Sequence, residues 1–209
     1  MSHYPISLVN LTHALVIGGG AVATRKVHGL LAAGARVTII APEISEELAA
    51  LAHAHALTIL RRAYQPDDLA RAQIVIAATD DLAVNHAVSA DAQARGMLVN
   101  VVDDPAYCTF HVPAIIRRGN IALAISTGGA SPALAKYLRR ELERVIGAEY
   151  ETLAALLAEL RPIIQTHVPR ENRETLWENL IDAALPLLRA GRTDEARQSA
   201  EQLVAKYKA

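Results

Sequence analysis

The sequence lacks the features that mark secreted and membrane proteins. It has a single cysteine, Cys108, so no disulfide can form within the chain and a disulfide-stabilised secreted scaffold is excluded. No apolar run approaches the roughly 18 residues that a membrane-spanning helix needs. Residues 1–20 lack the basic stretch followed by an apolar run that is typical of a signal peptide. These absences predict a cytoplasmic protein that has no membrane partner.

The chain also lacks an excess of charge of either sign. Its formal net charge is −1, so no overall basic field exists to attract nucleic acid. Apolar residues make up 52% of the chain and charged residues 21%, which is ordinary for a globular protein and excludes a disordered one. The function is therefore expected from local sites in a globular fold.

Short apolar runs alternate with helical segments in the first half of the chain. The pattern predicts strands at residues 13–19, 36–42, 57–62, 72–79 and 97–103, and helices at 21–35, 45–56 and 81–96. Because these strands are apolar throughout rather than alternating, we expect a parallel sheet that is covered by helices on both faces. The fold class predicted is α/β, with a Rossmann-type doubly wound sheet over residues 1–113.

The pattern changes after Pro105. Residues 110–129 hold two strand-like runs joined by a turn at residues 118–120, which predicts an antiparallel hairpin. From Ser131 onward the sequence reads as helical. It is divided into four helices by the breakers Pro162, Pro169, Pro186 and Gly191. We therefore expect a hairpin and helix element over 114–146 and a helical C-terminal domain over 147–209.

The first strand is followed by the motif Gly18-x-Gly20-x-x-Ala23, which opens the first helix. This is the context in which glycines allow a tight turn and let the backbone approach a pyrophosphate. An acid that binds ribose hydroxyls should follow about 20 residues later, and Glu43 occupies that place. Because no arginine directly follows Glu43 to pair with a 2′-phosphate, NAD is predicted rather than NADP. The alternatives are a glycine turn kept for packing alone and a Glu43 that belongs to the first turn of a helix.

Two further strand ends carry polar side chains. Thr79 and Asp80 close the fourth strand, where ligands of such sheets bind, although Asp80 or Asp81 is also placed to cap the next helix. Asp103 closes the fifth strand, and a carboxylate there can accept a proton while a hydride leaves a substrate. Asp104 precedes a proline and is predicted to be a turn residue.

A glycine pair precedes the helix that starts in the second half of the chain. Ser131 and Pro132 form a strong helix start, and the backbone N–H groups at Gly128 and Gly129 can hold a carboxylate. A well-made helix cap is the alternative.

Several blocks together resemble one enzyme family, in order over residues 4–145. They are VIGGGAVATRK, AATDD, NVVDDP, FHVPAIIRRGNIALAISTGGASP and LAKYLRRELE. The chain is similar to precorrin-2 dehydrogenase/sirohydrochlorin ferrochelatase, which is also the N-terminal module of siroheme synthase. The resemblance implies NAD-dependent oxidation of precorrin-2 to sirohydrochlorin on the route to siroheme and sometimes cobalamin. In some members it also implies Fe2+ insertion. Two alternatives stay open: a dehydrogenase without chelatase activity, and a non-catalytic NAD-binding regulatory module.

The same resemblance implies roles for individual residues. Asp103 is the acid tied to both steps. The cofactor contacts fall on Gly18, Gly20, Ala21, Val22, Pro42 and Glu43. The hairpin and the helix after it imply a homodimer. Thr127 stands where relatives often have a second serine.

A tetrapyrrole substrate carries many carboxylates, so cations are expected around it. Thr127, Gly128 and Arg117 are the predicted substrate-binding residues. The neighbouring run of basic residues in this part of the chain can equally be a solvated face. None of the eight histidines shows the spacing of a metal site, so no resident metal is predicted.

Overall fold

The computed structural model describes Tyr4 and residues 6–55 and 57–207. The chain divides into two compact units, Met1–Val112 and Pro113–Ala209. The finer division of the second unit at residues 146 and 147 stays a prediction.

The first unit is built on one parallel sheet of five strands in the order β3-β2-β1-β4-β5. Its strands are β1 (His13–Ile17), β2 (Arg36–Ile40), β3 (Thr58–Leu60), β4 (Ile74–Ala77) and β5 (Leu98–Val101). Its helices are α1 (Ala21–Leu31), α2 (Glu46–His55) and α3 (Leu82–Ala94), with 3₁₀ turns at Pro66–Arg71 and Pro105–Tyr107. This strand order confirms the prediction of a Rossmann-type doubly wound sheet.

Successive strand residues enter two different cores, one on each face of the sheet. Val16 packs with Val27 of α1 and Leu48 of α2, whereas Ile17 packs with Val88 of α3 and Leu69 of the 3₁₀ turn. Because both faces are covered, the strands need apolar residues at every position, and this is what their sequences show.

The predicted strands and helices of this unit are all present, and most are shorter than predicted. The end of the predicted helix 45–56 at residue 56 lies outside the described residues. The crossover between β3 and β4 contains the 3₁₀ turn Pro66–Arg71 in place of a full helix.

The second unit begins with the predicted antiparallel hairpin. Strands β6 (Ala114–Arg118) and β7 (Ile121–Ile125) pair with Arg118 opposite Ile121, so the turn consists of Gly119 and Asn120. Gly119 has φ +54°, a left-handed conformation that glycine adopts without a steric penalty. The helices are α4 (Pro132–Val145), α5 (Glu149–His167), α6 (Arg173–Arg189) and α7 (Thr193–Tyr207).

Two of the predicted helix breaks are wrong. Pro162 lies inside α5 and Pro186 inside α6, whereas Pro169 and Gly191 do separate helices as predicted. Pro162 removes one backbone hydrogen bond, but its ring lies on the exposed face of α5. On the opposite face, Leu160 and Ile164 are buried in the core that α5 shares with α6 and α7. Tertiary packing therefore outweighs the lost bond.

None of the described helices is both long and apolar enough to cross a membrane.

Candidate active site

The carboxyl ends of four strands meet at one edge of the first unit. The parallel register sets Ile17 beside Ile40 on one side and beside Ala77 on the other, and Ala77 beside Val101. The segments that leave these strands therefore start side by side. They contain most of the residues predicted for the cofactor and for catalysis, and such an edge is where ligands of doubly wound sheets bind.

The glycine turn leaves β1 at this edge. Gly18 has φ +125°, and a Cβ built there would lie 2.3 Å from the carbonyl oxygen of Ala78. A side chain at Gly19 would also clash with the backbone, because a Cβ built there would lie 2.0 Å from the carbonyl oxygen of Glu43. The Ser45 N–H donates to the Gly19 carbonyl at 2.8 Å. The turn is thus wedged between the segments that follow β4 and β2.

Gly20 differs from the other two glycines of the turn. Its φ of −86° suits any residue, and nothing lies within 4 Å of a Cβ built there. It is the N-cap residue of α1, with no side-chain hydrogen bond at the cap and no acid in the first turn of this helix. The first N–H groups of α1, at Ala21 and Val22, therefore have no side-chain cap, and the space beside Gly20 is open. This is the arrangement that accepts a phosphate.

Pro42 and Glu43 follow β2, and both are exposed. Helix α2 begins only at Glu46, with Glu46 and Glu47 in its first turn. Glu43 is therefore not a first-turn helix acid, which removes one alternative. Its backbone lies against Gly19, so its exposed carboxylate belongs to the segment next to the glycine turn, where a ribose-binding acid is expected.

Thr79 and Asp80 follow β4 and have different surroundings. The Thr79 hydroxyl donates to Asn85 Oδ1 at 2.8 Å, and the Asn85 amide donates to the Thr79 carbonyl at 2.9 Å. Asn85 is 2% exposed, so it fixes this segment from within α3. Asp81 caps α3 by accepting from the N–H groups of Ala83 and Val84. Asp80 is exposed and is left without a capping role.

Asp103 follows β5 and has φ +60°, one of two non-glycine residues with a positive φ in the described chain. Its side chain is exposed and makes no hydrogen bond or ion pair with the described residues. A half-buried lysine, Lys26 on α1, is its charged neighbour. Burial, followed by the charge of Arg25, lowers the pKa of Lys26, whereas Asp103 acts in the opposite direction. The carboxylate at the end of β5 is thus free to meet a ligand and has a cation nearby.

The turn after Asp103 is held by Asp104 and Cys108. Asp104 precedes Pro105 and lies outside the helical region, as expected before a proline, but its φ of −132° and ψ of 81° are not those of a regular extended residue. Its carboxylate Oδ2 lies 2.8 Å from His86 Nε2. The Cys108 thiol accepts from the Val101 N–H at 3.2 Å, and burial raises its pKa, so this cysteine packs the turn as an inert group.

The residues predicted to bind substrate lie in the second unit. The Thr127 hydroxyl accepts from the Ser131 N–H at 3.1 Å, and Ser131 caps α4 by accepting from the Leu134 N–H. Gly128 has φ +63°. Arg117 is exposed on β6, whereas the neighbouring Arg118 donates to the Ile146 carbonyl and is occupied within its own unit.

In the described part of the chain, no group of three or more histidine, cysteine, aspartate or glutamate side chains could hold a metal ion.

Sequence reasoning missed several residues at this edge. Gly19 was visible as part of a glycine run, but its contact with Glu43 depends on tertiary structure. Lys26 and His86 gave no local signal, because the aspartate near each of them is distant in sequence. Lys26 on α1 is the charged neighbour of Asp103, and His86 on α3 contacts Asp104. His86 and Asp104 are 18 residues apart in sequence.

Three family models match the chain in succession. The family described as "Putative NAD(P)-binding" matches residues 8–114, which is just over half of the chain. The family described as "Sirohaem biosynthesis protein central" matches residues 118–144. The "Sirohaem synthase dimerisation region" matches residues 149–204.

Curated siroheme synthases are similar in sequence to most of this chain. The siroheme synthase of Pseudomonas entomophila (strain L48) is 43% identical over 193 residues, which are 91% of this chain and 42% of that protein. The siroheme synthase of Nitrosomonas europaea is 41% identical over 202 residues, 95% of this chain and 42% of that protein. The chain thus spans about two fifths of the length of these curated relatives.

A solved structure is similar over its whole length. The protein titled "SirC, precorrin-2 dehydrogenase" is 30% identical, with a TM-score of 0.77, and the match covers 98% of this chain and 100% of that one. Together with the first family model, it confirms the prediction of NAD as the cofactor. The chain belongs to the precorrin-2 dehydrogenase family.

Proposed function

We propose that this chain oxidises precorrin-2 to sirohydrochlorin with NAD, as a step of siroheme biosynthesis in the cytoplasm. The observation that carries the proposal is the free carboxylate of Asp103, which follows β5 on the sheet edge that also holds the glycine turn. The similarity to a precorrin-2 dehydrogenase over that protein's whole length supports the same reaction.

The dinucleotide is proposed to lie along the carboxyl edge of the sheet. The open space at Gly20 and the uncapped N–H groups of Ala21 and Val22 suit its pyrophosphate. Gly18 keeps the turn tight beneath it. Pro42 and Glu43, on the β2 side, suit the adenosine ribose, and Thr79 and Asp80 are proposed as contacts on the β4 side.

Asp103 is proposed as the catalytic base. The nicotinamide supplies a hydride acceptor. Oxidation of the macrocycle removes one hydride and one proton, and the Asp103 carboxylate accepts that proton. Its exposure then allows the proton to pass to solvent. Lys26 on α1 is the charged neighbour of this carboxylate.

The substrate is proposed to be held by cations and backbone amides of the second unit. Arg117 is exposed, and its guanidinium makes no hydrogen bond or ion pair with the described residues, so it is suited to a carboxylate of the tetrapyrrole. Thr127 and Gly128 are proposed as further contacts. We also propose that the protein is a homodimer, because residues 149–204 match a dimerisation region.

Insertion of Fe2+ into sirohydrochlorin is a second candidate activity. The name siroheme synthase, carried by relatives more than 40% identical to this chain, favours it. Fe2+ is then a substrate, and Asp103 would accept a pyrrole proton as the metal enters the macrocycle.

The test is an anaerobic assay with precorrin-2 and NAD, read by NADH absorbance. The variant Asp103→Asn is suited to it because asparagine tolerates the left-handed conformation at φ +60° that this position requires. We expect turnover by the native chain and a loss of at least roughly 100-fold in kcat for Asp103→Asn. The dissociation constant for NAD should not change in this variant.

The matched control is Asp182→Asn, at an exposed aspartate on α6, and it should behave as the native chain. Absence of NADH formation by the native protein would refute the proposed reaction. Full activity of Asp103→Asn would refute the role of Asp103. Siroheme formed on addition of Fe2+ supports the second activity, and its absence restricts the enzyme to the dehydrogenase step.

A further inference from the structure

The direction of the Asp103 carboxylate depends on the backbone that carries it. The side chain has no hydrogen bond or ion pair with the described residues, and the backbone is held at φ +60°. Such a conformation is sparsely populated outside glycine and persists only when the surrounding structure enforces it. The contacts of the neighbouring residues therefore decide where this carboxylate points.

The residues after Asp103 are fastened to α3 by a group of contacts that we call the α3 clamp. It consists of His86 and Ser89 on the helix and Asp104 and Tyr107 on the turn. His86 Nε2 lies 2.8 Å from Asp104 Oδ2, and the His86 and Tyr107 rings stack at 3.7 Å with their planes 8° apart. The Ser89 hydroxyl donates to the Tyr107 carbonyl at 2.7 Å. His86 and Ser89 are three residues apart, so they share one face of α3.

The residues before Asp103 are held by the sheet. The Val102 N–H donates to the Ala77 carbonyl at 2.9 Å, which continues the β4–β5 pairing by one residue. The bond that closes the turn directly, from the Asp104 N–H to the Val101 carbonyl, is long at 3.4 Å. The turn is therefore fixed by the sheet on one side, by the α3 clamp on the other, and by the Cys108 thiol, which contacts the backbone of Val101 and Asp104.

Three of the four residues in the clamp are at least partly sheltered from solvent, whereas Tyr107 is 38% exposed. The side chains of His86 and Asp104 are 34% and 25% exposed, and Ser89 is fully buried. A partly buried pair with a stacked ring is more rigid than an exposed ion pair, because solvent screening and side-chain freedom are both reduced. His86 is the central residue, since it contacts Asp104 through its Nε2 atom and Tyr107 through its ring face.

We propose that His86 is a positioning residue: through Asp104 and Tyr107 it holds the turn on α3 and fixes the Asp103 carboxylate for proton transfer. The proposal rests on the proposed role of Asp103 in the oxidation of precorrin-2. His86 does not touch the reacting atoms. It acts by keeping the backbone of residues 103–107 in place.

The experiment compares His86→Ala, His86→Gln and the control His53→Ala. His53 is an exposed histidine on α2, so His53→Ala makes the same chemical change away from the turn. Glutamine places its Nε2 atom about where histidine has Nε2, so it can still donate to Asp104. Two quantities are measured: kcat per NAD-binding site with KM for precorrin-2, and amide hydrogen exchange of the peptide that contains residues 103–107.

We expect His86→Ala to lower kcat by roughly 10- to 100-fold, with KM and the dissociation constant for NAD changed by less than about two-fold. Exchange in residues 103–107 should rise, and His86→Gln should recover most of kcat and of the protection. A residue that merely supports folding would change the fraction of active sites and the melting temperature, and kcat per active site would stay native.

Native kcat per site in His86→Ala, or a loss of kcat without faster exchange of residues 103–107, would overturn the proposal. If His86→Ala does not fold, Asp104→Asn takes its place and must show the same loss in kcat at native KM. Native kcat in Asp104→Asn would then overturn the proposal. If the native chain does not oxidise precorrin-2, the proposed function fails. In that case, unchanged hydrogen exchange of residues 103–107 in His86→Ala also refutes the α3 clamp. Faster exchange supports the α3 clamp but not its part in catalysis.

Discussion

The glycine turn after β1 allows the fold and the cofactor site to be perturbed separately. Gly18→Ala adds a methyl group at φ +125°, 2.3 Å from the carbonyl oxygen of Ala78. Gly20→Ala adds the same group at φ −86°, with nothing within 4 Å. The first change should therefore affect stability, and the second should affect only the binding of NAD.

The cost at Gly18 has two parts. A sparsely populated backbone conformation costs about 1–3 kcal/mol, and forcing a methyl group against fixed backbone costs about another 1–3 kcal/mol. Together, about 2–6 kcal/mol is a large share of a typical total of about 5–15 kcal/mol. At roughly 2–4 °C per kcal/mol for a chain of this size, the melting temperature should fall by about 4–24 °C.

At Gly20 the same methyl group leaves the fold intact. Stability should change by less than about 1 kcal/mol, because the conformation suits alanine. The methyl group occupies the space beside the first N–H groups of α1, so the dissociation constant for NAD should rise at least roughly ten-fold. The matched control is Gly29→Ala in the exposed interior of α1, where a methyl group also meets nothing within 4 Å. It should gain about 0.5–1 kcal/mol of stability and bind NAD normally.

Thermal melts and NAD titrations by fluorescence or calorimetry measure both effects on the same samples. A native melting temperature for Gly18→Ala, or a native dissociation constant for NAD in Gly20→Ala, would contradict the roles assigned to these glycines.

Three further predictions concern stability. Asp81→Ala removes the cap of α3 and should cost about 0.5–2 kcal/mol in urea unfolding; no loss would show that this cap is dispensable. Leu176 is fully buried in the core that α5, α6 and α7 share, so Leu176→Ala should lower the free energy of unfolding by about 2–5 kcal/mol. Ile181 is exposed, so Ile181→Ala should lower it much less. Equal losses in the two variants would contradict the assigned core. A hydrogen bond from Arg62 is the main cause that lowers the pKa of Asp68 from its usual 3.8. The pair therefore stabilises the fold above that value, and the stability is lost as the pH falls through the lowered pKa. Asp68→Asn should be less stable than the native chain at neutral pH, and the difference should shrink as the pH falls below 3.8. A difference that does not change with pH would contradict the assignment.

The sequence was sufficient for the fold wherever local signals and burial agree. Apolar strands, the turn at Gly119 and the helix start at Ser131 all appear as predicted, because each depends on residues close together in the chain. The breaks predicted at Pro162 and Pro186 are wrong because a local rule was applied to helices that are stabilised by packing. Buried leucines on one face of each helix outweigh a single missing hydrogen bond.

The candidate site was predictable in its backbone elements and less so in its supporting contacts. Gly18, Gly20, Glu43 and Asp103 follow strand ends, and the parallel sheet brings strand ends together by construction. Their roles as ligand contacts stay predictions. The pairing of His86 with Asp104 depends on how α3 is seated on the sheet, which no local pattern encodes.

The proposed function requires that the dinucleotide lies at the glycine turn and that the Asp103 carboxylate, which follows β5, meets the macrocycle. A crystal structure of the protein with NAD and sirohydrochlorin bound tests it most directly. We expect the pyrophosphate beside Gly20, with the Asp103 carboxylate within hydrogen-bond reach of the macrocycle, about 2.6–3.2 Å. A dinucleotide bound away from the glycine turn, or an Asp103 side chain turned away from the macrocycle, would contradict it.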